Sequence, residues 1–184
     1  GQNEGYICKL IRNDSIDDFI VYINRNNISL LSTIVPSIYE TNSFLIEKQN
    51  NELTLIEYAA FFGSYQILKY LQLNNVDFEP QLIIFAIHGR NAEIIHLLET
   101  MPILHKSYLI ETNNNEAENN KQNEYKCSYE DCLNESIKCH YNDVANYFLD
   151  NFFQIDYIKS NYFCKQSLKY YNFSFIQSEP IGRN

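Results

Sequence analysis

The feature that most constrains the fold is a short unit that recurs along the chain: an apolar helix, a tight turn and a second apolar helix. Its clearest copy is Thr54–Leu71, with the turn at Gly63-Ser64. Thr54 and Glu57 have the T-x-x-E spacing of a capping box, in which each side chain bonds to the backbone N–H of the other at a helix start. Apolar residues then recur every three or four positions, which predicts a hairpin of two helices.

Further copies follow at irregular intervals. We place the copies at about residues 6–26, 52–78, 80–100 and 129–151, with a partial copy at 162–176. Ile94 lies 27 residues after its equivalent Ile67, whereas Val144 lies 50 residues after Ile94. Helical repeats bury a shared core only by stacking on one another. The sequence therefore predicts one all-α domain over residues 1–176, a helix-turn-helix repeat solenoid with irregular connectors.

Two insertions separate the copies. The first, Asn27–Asn51, is apolar enough to pack and is expected to contain an extra helix and an extended segment. The second, residues 111–125, contains six of the 24 Asn of the chain and almost no apolar side chains. It cannot bury enough surface to offset its ordering entropy, so it is predicted to be a flexible loop. Residues 177–184 are expected to form a tail.

The clearest copy resembles an ankyrin repeat, although Leu55 stands where that pattern has Pro and Glu57 where it has His. Asn75 stands where the repeat usually has Gly after its second helix, and Asn tolerates the left-handed conformation expected there. The matching positions are Thr54, Ile56, Ala59, Ala60, Gly63, Ile67, Lys69 and Leu71.

Three phrases, Leu55–Ser64, Ala86–Ile95 and Glu135–His140, are similar to a divergent ankyrin family of parasitic protists, a domain of unknown function. The resemblance spans roughly Tyr6–Ile176. It implies an ankyrin-type fold and a generic protein-binding role, because the family has no assigned activity and fold alone does not specify function.

Charge and composition exclude several classes of function. The chain has 23 acidic and 14 basic residues, a net charge of −9, and only four Arg. Nucleic acids and anionic membranes both require a basic face, so neither is an expected partner. The longest apolar run, Leu82–Ile87, is far shorter than the ~20 residues that span a bilayer. No signal peptide is visible, and a cytoplasmic or nuclear location with reduced thiols is expected.

Motifs that carry chemistry are few. The five Gly are scattered, so neither a dinucleotide fingerprint nor a phosphate loop is present. Cys127, Cys132, Cys139 and His140 are close in sequence, but their spacing differs from that of structural zinc sites. We expect a protein that is not an enzyme, with no cofactor, no metal and no small-molecule substrate. A metal-binding regulator built on that Cys/His cluster remains a less favoured alternative.

The expected function is protein–protein interaction. Exposed aromatic residues are effective interface anchors, and the resemblance implies that the end of each first helix faces the partner. An alternative is that Phe61 or Phe62 packs beneath the neighbouring insertion. The net negative charge favours a protein partner with a basic patch. The candidate contact residues are Tyr58, Phe61, Phe62, His88, Arg90, Lys138 and His140.

A second alternative assigns the chain no partner of its own. The apolar end Tyr170–Ile176 could be the face on which a further repeat stacks in a longer protein. In that case the chain would be a structural segment of a larger repeat array, and the isolated chain would self-associate through this end.

Overall fold

The computed structural model describes residues 1–2, 4–35, 37–49, 53–100, 127–153 and 161–178. The chain divides into two compact units, Gly1–Glu99 and Thr100–Asn184, and each is described by itself.

The described residues form eleven helices and no β-strand, which confirms the all-α prediction; one isolated antiparallel bridge joins Thr33 and Thr54. The helices of the first unit are α1 (Tyr6–Arg12), α2 (Ile16–Arg25), α3 (Ser43–Gln49), α4 (Leu55–Phe61), α5 (Tyr65–Leu73), α6 (Leu82–Gly89) and α7 (Ala92–Glu99). Those of the second unit are α8 (Tyr129–Lys138), α9 (Asn142–Phe152), α10 (Asn161–Lys169) and α11 (Phe173–Ser178).

Ten of these helices form five consecutive pairs, one in the region of each predicted copy, and the copy predicted as partial at 162–176 corresponds to a full pair over residues 161–178. In the first unit the first helices pack side by side, α1 against α4 and α4 against α6, while α2 packs against α5. In the second unit α8 packs against both α9 and α10. The remaining helix, α3, lies in the first insertion, where an extra helix was predicted.

All five pairs turn in the same way. The residue two positions before the start of the second helix has a positive φ in every pair, and only one of the five is Gly. These residues are Asp14 (48°), Gly63 (69°), Arg90 (48°), His140 (59°) and Tyr171 (57°). A left-handed conformation costs a residue other than Gly about 1–2 kcal/mol. The same backbone geometry therefore recurs even where the sequence does not favour it.

Hydrogen bonds explain why this geometry is retained. In the first pair, Asp14 N–H donates to the Ile11 carbonyl and Ser15 N–H donates to the Leu10 carbonyl. This is the Schellman arrangement, which satisfies carbonyls left open at a helix end. The Gly63, His140 and Tyr171 turns have the same two bonds. The end of α5 does too: Asn75 has a φ of 59°, which confirms the left-handed conformation predicted for it.

Side chains in the turns connect neighbouring pairs. The Ser64 side chain makes no cap bond to α5, and its hydroxyl donates to the Ile11 carbonyl at 2.5 Å. The Asp14 carboxylate of the preceding pair accepts from the N–H groups of Gln66 and Ile67, each at 3.0 Å, and so takes over the cap. The Asn91 amide donates to the Gly63 carbonyl at 3.0 Å in the same way.

The predicted start of α4 is confirmed. The Thr54 hydroxyl accepts from Glu57 N–H, and the Glu57 carboxylate accepts from Thr54 N–H at 2.8 Å. A second capping box, Ser128 with Asp131, begins α8. The first box was predicted from the T-x-x-E spacing, and the second was not.

Two sequence predictions fall on residues that are not described. The loop predicted at residues 111–125 lies outside the described residues. Of the predicted tail at 177–184, the first two residues belong to α11 and the others lie outside. In the described segments, no helix has the length and apolar character that would let it cross a bilayer.

Candidate binding surfaces

A row of ring contacts crosses the C-terminal ends of α4 and α6 in the first unit. We call it the aromatic strip and define it as Tyr58, Phe62, Phe61, His88, Phe44 and Phe85. Ring centroids lie 4.7 Å apart for Tyr58 and Phe62, 5.0 Å for Phe62 and Phe61, and 5.0 Å for Phe61 and His88. Four of the predicted contact residues belong to this strip.

The insertion helix α3 covers the middle of the aromatic strip. Its Phe44 ring lies 5.9 Å from Phe61, 5.1 Å from Phe85 and 4.3 Å from His88, measured between centroids. As a result Phe61 is only 9% exposed. The alternative that Phe61 packs beneath the neighbouring insertion is therefore confirmed, and in this structure Phe61 presents almost no area to a partner.

Tyr58 was expected to contact a partner, but it is fully buried and presents no area to one in this structure. Its hydroxyl accepts a hydrogen bond from Arg12 Nη1 at 2.9 Å. Burial raises the pKa of this phenol, and the Arg12 hydrogen bond only partly opposes that rise. Tyr58 therefore links the strip to α1, through its ring contact with Phe62 and its hydrogen bond from Arg12.

Cations lie at both ends of the strip. The Arg12 guanidinium carbon is 5.9 Å from the centroid of Phe62. At the other end Lys48 Nζ is 5.9 Å from the centroids of both Phe44 and Phe85. Contacts of this length between a cation and a ring are attractive. The aromatic faces of the strip thus already have partners within the unit.

Three predicted contact residues of the first unit keep accessible area. Phe62 and His88 are partly exposed, and Arg90 is exposed. Arg90 also occupies the left-handed turn position, so its backbone has a structural role apart from any contact its side chain makes.

The two predicted residues of the second unit, Lys138 and His140, are both exposed. Lys138 Nζ pairs with the Glu135 carboxylate at 3.1 and 3.2 Å. Partial burial acts to lower the Lys138 pKa, but the Glu135 hydrogen bond and charge outweigh it and the pKa is raised. His140 Nε2 lies 2.9 Å from the Tyr170 carbonyl oxygen. These contacts orient both side chains near the turn between α8 and α9.

A second surface lies at the opposite end of α4, where α4 and α6 begin. It is a groove of about 260 Å³, which we call the acidic groove. Apolar side chains and three carboxylates line it together. The lining residues are Leu30, Leu31, Thr54, Ile56, Glu57, Val76, Asp77, Glu79 and Leu82.

The acidic groove is accessible to a partner, whereas α3 covers the middle of the aromatic strip. Leu31 is 68% exposed at its edge, and Ile56 and Leu82 are buried in its floor. Asp77 and Glu79 are exposed, whereas the Glu57 carboxylate already accepts from the Thr54 N–H and hydroxyl. Two carboxylates therefore remain beside an accessible apolar side chain. None of the predicted contact residues lines this groove. Its exposed side chains come from two connecting segments that are far apart in sequence, one before α4 with Leu31 and one before α6 with Asp77 and Glu79.

The Cys/His cluster of the second unit divides into two parts. Cys127 and Cys132 are buried at the start of α8, with their sulfurs 3.9 Å apart. Cys139 lies just after the end of α8, where its sulfur contacts Glu135 Oε1 at 3.8 Å. A helix of ten residues is about 15 Å long. Consequently Cys127, Cys132, Cys139 and His140 do not converge on one metal ion as the alternative hypothesis required.

The last helix pair exposes apolar side chains. Leu168, Tyr171 and Phe173 are 55%, 76% and 52% exposed. This is the end of the chain for which stacking of a further repeat was considered.

Comparison with known proteins gives no relative: no family model, no curated protein and no solved structure matches this chain.

Proposed function

We propose that this chain is a protein-binding module made of ankyrin-like helix-turn-helix repeats, and that it has no catalytic role. The recurring left-handed turn supports the repeat interpretation. Five pairs use the same turn with five different residues at the left-handed position. A shared backbone geometry that persists despite its cost in four of the five turns is typical of repeats that must stack in register.

The acidic groove is the proposed recognition surface, and its occupant is a basic, apolar segment of a partner protein. The single observation that supports this assignment is the exposed Leu31 side chain beside the exposed carboxylates of Asp77 and Glu79. A Lys or Arg side chain can place its methylenes against leucine while its charged group stays near carboxylates. The net charge of −9 favours approach of the same class of partner.

Recognition here relies on a rigid scaffold. The capping box fixes the start of α4. The bridge between Thr33 and Thr54 holds the segment that carries Leu31 against this helix start. Leu31 and Thr54 are therefore presented from backbone that needs little reordering when a partner binds. Preorganisation of this kind reduces the entropy cost of association.

The test is selection of binding peptides from a random dodecapeptide library displayed on phage, with the full chain as bait. We expect the selected peptides to combine Lys or Arg with neighbouring Leu, Ile or Phe. Synthetic versions should bind the Asp77→Asn plus Glu79→Gln variant about threefold to tenfold more weakly, since each exposed ion pair contributes ~0.2–1 kcal/mol.

The matched control is the Glu47→Gln plus Asp150→Asn variant, which removes the same charge from exposed positions outside the groove. It should bind the peptides about as well as the unmodified chain. Equal weakening by both variants would mean that net charge alone attracts the peptides. Acidic or purely apolar selected peptides would contradict the assignment of the groove.

A second candidate role is favoured by the exposed Leu168, Tyr171 and Phe173 at the last helix pair. In this case the chain would be a structural segment of a longer repeat array. The isolated chain would then form dimers or larger species in light scattering, and Tyr171→Lys would return it to a monomer. A monomer at all concentrations would remove this candidate.

A further inference from the structure

We infer that Cys127 and Cys132 are a reversible disulfide site that takes a low-molecular-weight disulfide, such as oxidised glutathione, as its reaction partner. The inference concerns the second compact unit and is independent of the proposed peptide binding. It begins from the Sγ–Sγ distance of 3.9 Å between two thiols that are 4% and 0% exposed.

The start of α8 explains why these two thiols meet. Ser128 is the N-cap, so Cys127 is the residue before the cap and Cys132 is the fourth residue of the helix. These are the two positions that pack together as a hydrophobic staple beside a capping box. Here both positions of the staple are cysteines. The sequence thus places two reactive sulfurs where most helices place two inert apolar groups.

The contact is close enough for bond formation by side-chain rotation. A disulfide requires an S–S distance of about 2.05 Å, so the sulfurs must approach by somewhat less than 2 Å. The Ser128 and Asp131 side chains hold the backbone between them, with hydrogen bonds of 3.0 and 3.1 Å. The local structure therefore keeps the two thiols together without an existing covalent bond.

The reaction is a pair of thiol–disulfide exchanges. Cys127 lies outside the helix and is the more exposed thiol, so its thiolate attacks the small disulfide first, after local opening. This step forms a mixed disulfide and releases one small thiolate. The Cys132 thiolate then attacks the Cys127 sulfur and releases the second. Two protein thiols are oxidised and one small disulfide is reduced to two thiols.

Two other cysteines of the chain have raised pKa values. Burial raises the pKa of Cys8 to about 11, with Arg12 opposing the rise. Burial, together with the charge of Glu135, raises the pKa of Cys139 to about 12. Both thiols are therefore kept protonated near neutral pH, and thiols react only as thiolates. Cys164 is exposed and serves as an internal marker of ordinary reactivity.

The test is a redox titration of the full chain in mixtures of reduced and oxidised glutathione, followed by N-ethylmaleimide, trypsin and mass spectrometry. Cleavage after Lys126 and Lys138 releases one peptide that contains Cys127 and Cys132 and no other cysteine. We expect this peptide to become two hydrogen atoms lighter and to carry no maleimide. Its equilibrium constant for oxidation should be at least tenfold larger in the folded chain than in urea.

Three outcomes would overturn the inference. They are a peptide that carries two maleimide groups at every glutathione ratio, a link from Cys127 to a different cysteine, and equal oxidation of the folded and unfolded chains. The Cys132→Ser variant should accumulate glutathione on Cys127, because the second exchange can no longer occur. If that variant does not fold, the comparison between folded and unfolded wild-type chain still decides.

Discussion

The two ends of α4 differ in what they leave accessible. At its C-terminal end the aromatic strip has more aromatic side chains, but Phe44 of α3 covers its centre and cations lie against both of its ends. At its N-terminal end the acidic groove has no aromatic ring, yet Leu31 remains 68% exposed beside the exposed carboxylates of Asp77 and Glu79. The comparison teaches that residue type alone does not identify a binding surface, because aromatic rings also pack readily against one another.

The largest effect on stability is expected from a substitution within the aromatic strip. Phe61→Ala should lower the free energy of unfolding by about 3 kcal/mol, since it removes a buried ring that packs against Phe44 and His88. Urea denaturation followed by circular dichroism measures the change. Peptide binding in the acidic groove should persist below the unfolding midpoint. A loss of less than about 1 kcal/mol would mean that the strip is not part of the core.

The second prediction concerns the packing of α6 against α4, on which both surfaces depend. A Cβ at position 89 would contact the Ala60 carbonyl oxygen and lie 2.8 Å from Gly63 N. Gly89→Ala should therefore lower the free energy of unfolding by about 2 kcal/mol. Helix propensity alone would predict a gain in the free energy of unfolding of about 1 kcal/mol. Thermal denaturation therefore shows, by the sign of the change, whether the close approach of α6 to α4 or helix propensity dominates at this position.

The third prediction concerns Leu31, at the edge of the acidic groove. Leu31→Ala should weaken a groove-binding peptide about tenfold, as expected for the loss of an apolar anchor, while changing stability by less than about 0.5 kcal/mol. Calorimetric titration and urea denaturation measure the two quantities. Phe61→Ala should show the opposite pattern, with a large effect on stability and a small one on affinity. Similar effects of both variants on affinity would remove the distinction between the surfaces.

The smallest effect is expected at Arg90, where a substitution distinguishes the role of the backbone conformation from that of a side-chain contact with a partner. Arg90→Gly should raise the free energy of unfolding by about 0.5 kcal/mol, because relief of the left-handed conformation slightly exceeds the added flexibility of the unfolded chain. Thermal denaturation checks the sign. If peptide affinity also falls severalfold, the Arg90 side chain contacts the partner and the strip side of the unit takes part in recognition.

Local features of the fold were largely predictable from the sequence. The capping box at Thr54, the left-handed Asn75 and both helices of the first four pairs follow from spacing and residue type over short stretches. Their physical causes lie within a few residues of one another. The left-handed turns at Arg90 and His140 have no such signal in their residue types. In both turns the backbone N–H of the left-handed residue donates to a carbonyl at the end of the preceding helix.

The candidate site was less predictable because it depends on distant segments. The covering of Phe61 requires Phe44, which belongs to an insertion with no fixed place in the repeat pattern. The acidic groove requires two connectors, one carrying Leu31 and the other carrying Asp77 and Glu79. Neither connector alone has an unusual composition. Only their position beside the start of α4 brings an exposed leucine and carboxylates together.

The most direct test of the account is to map where a selected basic peptide contacts the isotopically labelled chain by NMR. The account predicts that backbone amide signals of Leu31, Thr54, Val76 and Asp77 shift together as peptide is added. Signals of Phe62, His88 and Arg90 should stay in place. Shifts confined to those last three residues would contradict it, because they would place recognition on the aromatic strip.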